Sequence, residues 1–583
     1  MAVTKITEDI VVRQSHDKTD SENGTVEPIN NNEIDFDDLL SSAGEFGKYQ
    51  LLLFFATAPF YVFGVFAYFT QLFLTESSSD HWCWIPELEN LTDIERKKLA
   101  IPLDYNSRYG YSLCSSYDVN WTEVLATGRK PDRTWSTVPC QNGWEFNKTE
   151  IPYPTISSEL GWVCDKNSNQ ATAQSIFFLG SIVGGFGMGW VADRYGRLPA
   201  SIVSNIIGCI GGVISIFARN LIEFTICRFF TGFAYDNCMM MVYLLVLEYV
   251  APKYRTFMAN ASMAVFYSPA VTVLPWIALA SGHWKILSLV TSLPLGLAIF
   301  SPFFMPESPR WLLSKGRVDE AIKKVLTIGR INKKEISPKL IEQFKLSMSK
   351  VKQEKKQSIL ELIKNPLLRR IFIGTCVSYI CCALVFDALV RSIGALEFDF
   401  FISFSVINVT ELPSMLLVAF IMDWMGRRWL TTISMALSCI FTILIVFMTN
   451  GLLSVGCAVI ARFMVNLAYG TATQWCAEVL PTSVRGSGVA FVHICGFIGT
   501  LLSSLIVYLD TYVYWLPLVI VGAIAGLGAV LALMLPETAK KDLPQTFDEA
   551  EQLYKSQKFW EMPCLSKKVT EDPNGYDNNC FEM

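Results

Sequence analysis

The sequence predicts an all-α membrane protein in which twelve spanning helices form two six-helix halves. Three observations predict this fold class. The 583-residue chain is 51% hydrophobic and only 17% charged, whereas soluble domains contain about 25% charged residues. Twelve mostly apolar stretches follow one another, each near the roughly 20 residues that a spanning helix needs. Three charged motifs also recur at one constant spacing between the first six stretches and the last six.

The same composition excludes several other classes of protein. It does not fit a disordered chain, a coiled coil or a small secreted scaffold held by disulfides. The formal net charge of −5 gives no basis for binding a nucleic acid. The sequence contains no phosphate-binding loop, metal-ligand cluster or nucleophilic triad, so we expect no enzyme activity, no cofactor and no metal site.

The predicted spans, numbered 1 to 12 in chain order, divide the chain into five segments. They lie at about 49–73, 171–192, 200–218, 221–247, 257–280, 284–304, 371–391, 400–422, 430–449, 452–476, 488–509 and 513–535. The resulting segments are an N-terminal tail (1–48), an N-terminal half (49–305) with a long loop (74–170), a linker (306–370), a C-terminal half (371–536) and a C-terminal tail (537–583).

The N-terminal tail lacks the apolar core of a cleavable signal peptide. We therefore expect span 1 to act as the start signal and to leave the N-terminus in the cytosol. The run from Asp37 to Leu40 resembles an acidic dileucine sorting signal. An amphipathic lead-in to span 1 is the interpretation that we prefer.

The distribution of basic residues predicts which segments face the cytosol. The linker 306–370 contains 17 Lys and Arg against 7 Asp and Glu, whereas the loop 74–170 contains 9 against 14. Basic residues in the short loops after spans 2, 4 and 8 agree with this bias. We therefore expect the linker and both termini in the cytosol, and the loop 74–170 outside the cell. The linker should form short amphipathic helices on the membrane surface.

The long loop 74–170 has features that suit an extracellular position. Its three Asn-x-Ser/Thr sequons begin at Asn90, Asn120 and Asn147 and predict glycosylation. It also contains four of the sixteen cysteines, namely Cys83, Cys114, Cys140 and Cys164. Four cysteines in an oxidising compartment predict two disulfides, for which three pairings are possible.

An internal repeat predicts that the two halves are duplicates in the same orientation. The motif Asp-x-x-Gly-Arg at 193–197 returns at 423–427, which is 230 residues later. The pattern Glu-x6-Arg at 248–255 returns at 478–485, and Pro-Glu-Ser at 306–308 returns as Pro-Glu-Thr at 536–538, both again 230 residues later. Each motif follows the matching span of its half, which indicates a parallel duplication.

The doubled Asp-x-x-Gly-Arg and Glu-x6-Arg motifs resemble the major facilitator superfamily. Within it, the chain resembles the organic cation/anion/carnitine transporter family, and most of all the branch that moves cations and zwitterions such as carnitine, β-alanine or carcinine. The resemblance covers about residues 46–540 and implies transport by alternating access around a midplane site. The segments that carry it are Phe46-Gly47 with Gln50, Asp80–Cys83, Pro306–Leu312 and Glu411-Leu412-Pro413.

The repeated motif residues are expected to form a gate at the cytosolic end of the bundle. Their side chains can form ion pairs between the halves, which hold the inside closed and break as it opens. Helix capping by the motif carboxylates is the alternative. The eight residues are Asp193, Arg197, Glu248, Arg255, Asp423, Arg427, Glu478 and Arg485.

Charged residues at membrane depth predict the substrate site, because they are costly to bury without a function. Glu411 in span 8 matches the family's Glu-Leu-Pro, whose glutamate lies in the central pathway, and it suits a cation or zwitterion. A structural hydrogen bond is the alternative. Asp236 in span 4 could contact substrate, and Arg228 could bind a carboxylate or another helix. Asp387 and Arg391, four residues apart in span 7, predict an ion pair at the rim.

Aromatic rings predict further substrate contacts, because ring faces attract organic cations by ~0.5–2 kcal/mol. Tyr379 and Phe386 share a face of span 7 and match aromatic positions that line the family's pathway. Phe497 occupies a position where the family often has Asp or Arg, which favours a small amine or zwitterion over a large cation. The other candidates are Tyr469 and Trp475 in span 10 and His493 in span 11. For His493, a hydrogen bond between two helices is an alternative at least as good as substrate binding.

Together these observations predict a plasma-membrane carrier for small organic cations or zwitterions. Its expected partners are this substrate and the lipid bilayer, and we expect no nucleic acid. The sequence leaves open whether transport is coupled to an ion. Two alternatives remain. One is a proton-coupled sugar porter, against which the central carboxylate and the large loop argue. The other is a receptor or nutrient sensor that binds its ligand without moving it.

Overall fold

The computed structural model describes residues 36–555, apart from 105–108, 129, 133, 351–358, 396–397, 449, 482–483, 540, 542–543 and 545. Most of both predicted tails, 1–35 and 556–583, therefore lies outside the described residues. In the described part, twelve helical segments are long and apolar enough to cross a membrane, which confirms the twelve predicted spans. Their bounds are Lys48–Thr75, Cys164–Tyr195, Arg197–Phe217, Leu221–Leu247, Lys253–Ser281, Trp284–Phe303, Pro366–Arg391, Phe400–Val418, Arg427–Phe447, Gly451–Val479, Arg485–Thr511 and Leu516–Leu533.

Several spans consist of more than one helix. Span 8 is the most relevant, because it breaks at Thr410 and restarts as the helix Glu411–Met425. Pro413 cannot donate a backbone hydrogen bond to the preceding turn, which favours the break and places Glu411 at a helix start. Three other spans are divided within their length, namely span 1 (Lys48–Ala56 and Ala58–Thr75), span 5 (Pro252–Ser262, a π-turn Met263–Tyr267 and Ser268–Ser281) and span 6 (Trp284–Ser292 and the 3₁₀ helix Leu293–Phe303). Spans 2, 3 and 11 have a short 3₁₀ turn at one end, at Cys164–Lys166, Ser215–Phe217 and Tyr508–Thr511.

The contacts between the halves follow the internal repeat. Span 2 packs against span 11, and span 5 packs against span 8. The repeat relates span 2 to span 8 and span 5 to span 11, so the two contacts are equivalent. Within the N-terminal half, spans 2 and 4 approach closely through glycine. A Cβ atom at Gly184 would lie 2.1 Å from the carbonyl oxygen of Phe233, so only glycine fits there.

Between spans 1 and 2 the chain forms a small folded unit, which we call the loop subdomain (76–163). Its described residues form four short strands, β1 His81–Cys83, β2 Ser115–Tyr117, β3 Thr137–Pro139 and β4 Trp144–Phe146. β1 pairs with β4 and β2 pairs with β3, both antiparallel. The helices of the subdomain are Asp93–Ala100, Trp121–Thr127 and Ile156–Leu160. We call the end of the bundle that carries this subdomain the loop end.

Three cysteines of the loop subdomain and Cys164, the first residue of span 2, pair as Cys83–Cys140 and Cys114–Cys164. The structure therefore selects one of the three pairings that the sequence left open. The two cysteines of the first pair are 57 residues apart along the chain, and those of the second pair are 50 residues apart. These disulfides stabilise the loop subdomain, whose strands are only three residues long and whose own hydrophobic core is small.

The three sequons of the loop subdomain differ in their accessibility. Asn90 and Asn120 are exposed. Asn147 is partly buried, and its Nδ2 atom donates a hydrogen bond to Asp80 at 3.1 Å. Glycosylation stays a prediction at all three sites, with Asn90 and Asn120 the more accessible.

The linker forms helices at the opposite end of the bundle, which we call the motif end. Their bounds are Pro309–Ser314, Val318–Asn332, Pro338–Lys350 and Ile359–Lys364. A short helix before span 1, Phe36–Ser42, packs against them. Leu39 and Leu40 are buried in this contact, so the dileucine pair is part of the core and the preferred interpretation agrees with the structure.

The repeated motif Pro-Glu-Ser/Thr caps a helix in each half. The Glu307 carboxylate accepts hydrogen bonds from the backbone N–H groups of Arg197 (2.9 Å) and Leu198 (3.2 Å) at the start of span 3. Glu537 does the same at the start of span 9. A carboxylate there satisfies free N–H groups and faces the positive end of the helix dipole. Gly196 lies beside Glu307 with φ +117°, which explains the glycine of the Asp-x-x-Gly-Arg motif.

Candidate substrate site

Four of the predicted substrate residues come together in the C-terminal half. The ring of Phe386 stacks on Tyr469, with centroids 4.9 Å apart. Tyr379 donates a hydrogen bond to the Tyr469 hydroxyl at 3.1 Å, and its oxygen lies 3.2 Å from His493 Nδ1. We call these four residues the central aromatic cluster. They join spans 7, 10 and 11.

The sequence builds this cluster from helical spacing and one small residue. Tyr379 and Phe386 are seven residues apart, so they lie on one face of span 7. Gly496 of span 11 leaves room for the Tyr379 ring, because a Cβ atom there would lie 2.7 Å from Tyr379 Cε1. Tyr379 itself is buried, whereas Phe386 and Tyr469 are partly exposed. The exposed rings of the cluster are therefore those of Phe386 and Tyr469.

Glu411 has a partner that the sequence analysis missed. Its Oε1 atom lies 2.6 Å from Nη2 of Arg462 in span 10, and the two side chains are 2% and 0% exposed. Arg462 also donates to the Phe386 carbonyl group and lies 3.6 Å from the centroid of the Phe386 ring. Arg462 thus neutralises this carboxylate, while Glu411 Oε2 has no hydrogen-bond partner among the described residues, and the contact between Glu411 and substrate stays a prediction. The charge of Arg462 at membrane depth was the signal that could have identified it.

Asp236 differs from Glu411 because its carboxylate is free. Among the described residues, no hydrogen bond or ion pair reaches it, and the side chain is partly exposed. It lies near enough to Tyr235 and Tyr469 to interact with both phenols electrostatically. Tyr235 also contacts the ring edge of Phe497, with centroids 6.4 Å apart. Asp236 and Phe497 thus lie where span 4 meets the C-terminal half.

Trp475 does not join the central aromatic cluster. It is buried, and its Nε1 atom donates a hydrogen bond to the Pro536 carbonyl oxygen at 3.1 Å. This contact holds span 10 against the chain that follows span 12. The candidate role in substrate binding is therefore corrected to packing, because the polar edge of the indole faces the protein backbone.

At the loop end, a buried network joins the two halves. The Asp387 carboxylate in span 7 accepts hydrogen bonds from Tyr68 of span 1 and Ser503 of span 11. It also accepts two from Arg391, at 2.6 and 3.2 Å. The predicted Asp387–Arg391 ion pair is confirmed, but it is buried rather than at the rim. Because Tyr68 belongs to the N-terminal half, the network crosses the boundary between the halves.

Aromatic packing closes the same end. Phe73 of span 1 is fully buried and packs against Phe400, Phe401 and Phe404 of span 8, with ring centroids 4.9 to 6.2 Å apart. Polar and apolar contacts therefore both hold the halves together at the loop end. The structure is in a conformation closed on that side.

At the motif end, the eight predicted gate residues pair within their own halves. Arg197 pairs with Asp193 at 2.7 Å and lies 3.9 Å from Glu248. In the second half, Arg427 pairs with Asp423 at 2.8 Å and with Glu478 at 2.9 Å.

The remaining two arginines of the motifs also stay within one half. Arg255 pairs with Asp37 of the N-terminal helix at 2.6 Å, and Arg485 donates to the Leu480 carbonyl oxygen at 3.2 Å. The expected ion pairs between the halves are thus not formed by these eight residues in this conformation. The physical reason is that partners lie one helical turn away or on neighbouring elements of the same half. The expected capping by motif aspartates is also corrected, because Glu307 and Glu537 cap the helices instead.

Comparisons with known proteins agree with this architecture. The family model described as "Sugar (and other) transporter" matches residues 140–384, and the one described as "Major Facilitator Superfamily" matches 397–567. The inward-open xylose transporter XylE from E. coli superposes with a TM-score of 0.54 at 14% identity, over 86% of this chain and 100% of that one. This likeness supports the fold alone.

Curated relatives match over most of the chain. The carcinine transporter of Drosophila melanogaster is 31% identical over 94% of this chain and 83% of its own length. The β-alanine transporter of the same organism is 31% identical over 89% of each chain. Solute carrier family 22 member 3 of Rattus norvegicus is 29% identical over 92% of this chain and 98% of its own.

Proposed function

The chain belongs to the organic cation transporters of solute carrier family 22 within the major facilitator superfamily, and we propose that it moves small organic cations or zwitterions across the plasma membrane by alternating access. Its relatives are transporters and not enzymes. In this proposal the loop end faces outside, and the motif end and both termini face the cytosol. The observation that carries the proposal is the central aromatic cluster beside the free carboxylate of Asp236.

The central aromatic cluster suits an organic cation for a physical reason. Phe386 and Tyr469 are both partly exposed, but the Phe386 ring already stacks on Tyr469 and lies 3.6 Å from the guanidinium group of Arg462. Tyr469 is therefore the ring of the cluster that is better placed to attract a cation, an interaction of ~0.5–2 kcal/mol. The carboxylate of Asp236 interacts with the same Tyr469 from the other half. A substrate held there contacts both halves at once, which is the arrangement that alternating access needs.

The arrangement of closed contacts supports a transport cycle. Tyr68, Asp387 and the phenylalanines around Phe73 hold the loop end closed. Opening toward that end breaks the Tyr68–Asp387 hydrogen bond while the halves rock on the contacts of span 2 with span 11 and span 5 with span 8. The motif ends then approach each other, so charges such as Arg197 and Arg427 become able to form the gate predicted from the sequence.

Uptake by purified protein in proteoliposomes tests this function. The labelled compounds are carnitine, β-alanine, carcinine, histamine, tetraethylammonium and glucose. We expect accumulation of at least one amine and no accumulation of glucose. Tyr469→Ala should raise the KM for that amine, whereas Tyr512→Ala, at a side chain that is 71% exposed, should leave it unchanged.

Each alternative function gives a different result in the same assay. Accumulation of glucose alone identifies a sugar porter and contradicts the proposal. Saturable binding of a compound without accumulation of any identifies a receptor or sensor. Replacement of Na⁺ and clamping of the membrane potential show whether an ion is coupled to uptake.

A further inference from the structure

Among the described residues, the charged side chains in the interior of the spans, together with Arg391 at the end of span 7, form two neutral pairs and leave two residues single. The pairs are Glu411 with Arg462 and Asp387 with Arg391, and the single residues are Arg228 and Asp236. We propose that Asp236 binds the positive group of the substrate, and that the site therefore prefers a cation without a carboxylate to a zwitterion. This inference rests on the proposed transport function and specifies its substrate class.

In each of the two pairs an arginine already balances the charge of the carboxylate, although Glu411 Oε2 has no hydrogen-bond partner among the described residues. Glu411 and Arg462 are almost fully buried and lie 2.6 Å apart. Arg462 also donates to a backbone carbonyl group and covers the Phe386 ring. Arg391 binds both oxygens of Asp387, which is buried as well. An ion entering the centre therefore meets each pair as a neutral unit.

Arg228 is a single cation, but its guanidinium group is engaged. Its Nε donates to Gln71 Oε1 at 2.6 Å, and its Nη2 donates to the Ala67 carbonyl oxygen at 3.2 Å. The group also lies 5.0 Å from the centroid of the Phe177 ring, and the residue is 2% exposed. Arg228 thus links span 4 to span 1 and is not accessible to the carboxylate of a substrate.

Asp236 has the opposite properties. It lies eight residues further along span 4, about 12 Å from Arg228 along the helix, which is too far for a direct pair. Its carboxylate is partly exposed and has no polar partner among the described residues. An ionised carboxylate in a region of low dielectric constant is stable only with a counter-charge. The ammonium group of a substrate can supply that charge.

The same set of charged side chains makes a zwitterion a less suitable substrate than a cation. Its ammonium group can bind Asp236, but its carboxylate then needs a cation. The guanidinium groups of this region, those of Arg228, Arg391 and Arg462, already bind other groups. The substrate carboxylate would therefore lose its hydration without gaining an ion pair. A cation has no such group to desolvate.

Proteoliposome uptake of two cations, tetraethylammonium and histamine, and two zwitterions, β-alanine and carnitine, tests this inference. In wild-type protein the KM for at least one cation should be tenfold or more below that for either zwitterion. Asp236→Asn should raise that cation KM at least tenfold, and Asp236→Glu should restore it. The matched control is Asp399→Asn, an exposed residue that caps the start of span 8 and whose replacement can still accept that hydrogen bond.

A charge-specific rescue separates this role from a structural one. Asp236→Cys should lose cation uptake and regain it when a methanethiosulfonate reagent attaches a sulfonate, but not when one attaches an ammonium group. Wild-type protein treated in the same way controls for its other cysteines. Rescue by both reagents or by neither, or a cation KM within twofold of wild type in Asp236→Asn, overturns the inference. If wild-type protein accumulates none of the compounds, the proposed function itself fails.

Discussion

Tyr68 in span 1 donates a hydrogen bond to the Asp387 carboxylate in span 7, so that its hydroxyl group links the two halves at the loop end. Both residues are buried, and Asp387 is also held by Arg391 and Ser503. A hydrogen bond to a charged group in such a site contributes about 1.5–3 kcal/mol. This hydrogen bond therefore stabilises the conformation closed at the loop end, together with the packing of Phe73.

Tyr68→Phe should shift the protein toward the conformation that is open at the loop end. A loss of about 2 kcal/mol corresponds to a change of roughly thirtyfold in the equilibrium. The readout is labelling of Phe73→Cys by a membrane-impermeant maleimide on intact cells, since Phe73 is fully buried in the closed state. Labelling should be faster with Tyr68→Phe than with Tyr512→Phe. Equal labelling in both backgrounds would remove Tyr68 from the gate.

Glu411→Gln should destabilise the protein more than the double variant Glu411→Gln/Arg462→Met. The single variant leaves Arg462 buried without its counter-charge, a change that costs about 3–5 kcal/mol in such sites. The double variant removes both charges. Thermal unfolding in detergent should show the lowest Tm for the single variant, with Glu342→Gln on an exposed linker site as control. A double variant no more stable than the single one contradicts the pairing.

Glycosidase treatment should reveal two occupied sequons in the loop subdomain. Asn90 and Asn120 are exposed, whereas the Asn147 amide nitrogen is bonded to Asp80. Asn90→Gln and Asn120→Gln should each remove one step of the mobility shift on a gel, and Asn147→Gln should leave the shift unchanged. A smaller shift in Asn147→Gln would show that the hydrogen bond to Asp80 does not protect this site.

Glu76, just after span 1, should make stability depend on pH. Burial, with the charges of Asp510 and Glu150 adding to it, raises the pKa of Glu76 from 4.5 to about 8, although Arg391 opposes the shift. The folded state therefore holds the proton more tightly than the unfolded state. This contribution to stability is complete below pH 4.5 and is lost as the pH rises through about 8.

The measurement is Tm at pH 5, 6, 7, 8 and 9 for wild type and Glu76→Gln. Wild-type Tm should fall between pH 5 and 8 by more than that of the variant, which cannot ionise at this position. Parallel curves would show that Glu76 has an ordinary pKa in the folded protein.

Pairings between distant segments account for most of what the sequence analysis missed. Glu411 and Arg462 are 51 residues apart, and each was visible as a charge at membrane depth. Their contact depends on how spans 8 and 10 pack against each other, and the pattern of apolar residues in the sequence does not specify this packing. The same applies to Tyr68 and Asp387, 319 residues apart. For Trp475 the sequence analysis predicted a substrate contact that the structure does not show. An aromatic side chain in a helix that lines the pathway can pack against the protein rather than face the pathway.

Composition, apolar length and the 230-residue repeat by themselves determined twelve spans, two duplicated halves and the disulfide-bearing loop. These features follow from local energetics, because a backbone in lipid must satisfy its hydrogen bonds within each helix. Only the tertiary structure decided which cysteines pair, that Arg462 neutralises Glu411, and that Asp236 remains free. Such choices depend on distances of a few ångströms between helices, since charges interact strongly only at close range in a medium of low dielectric constant.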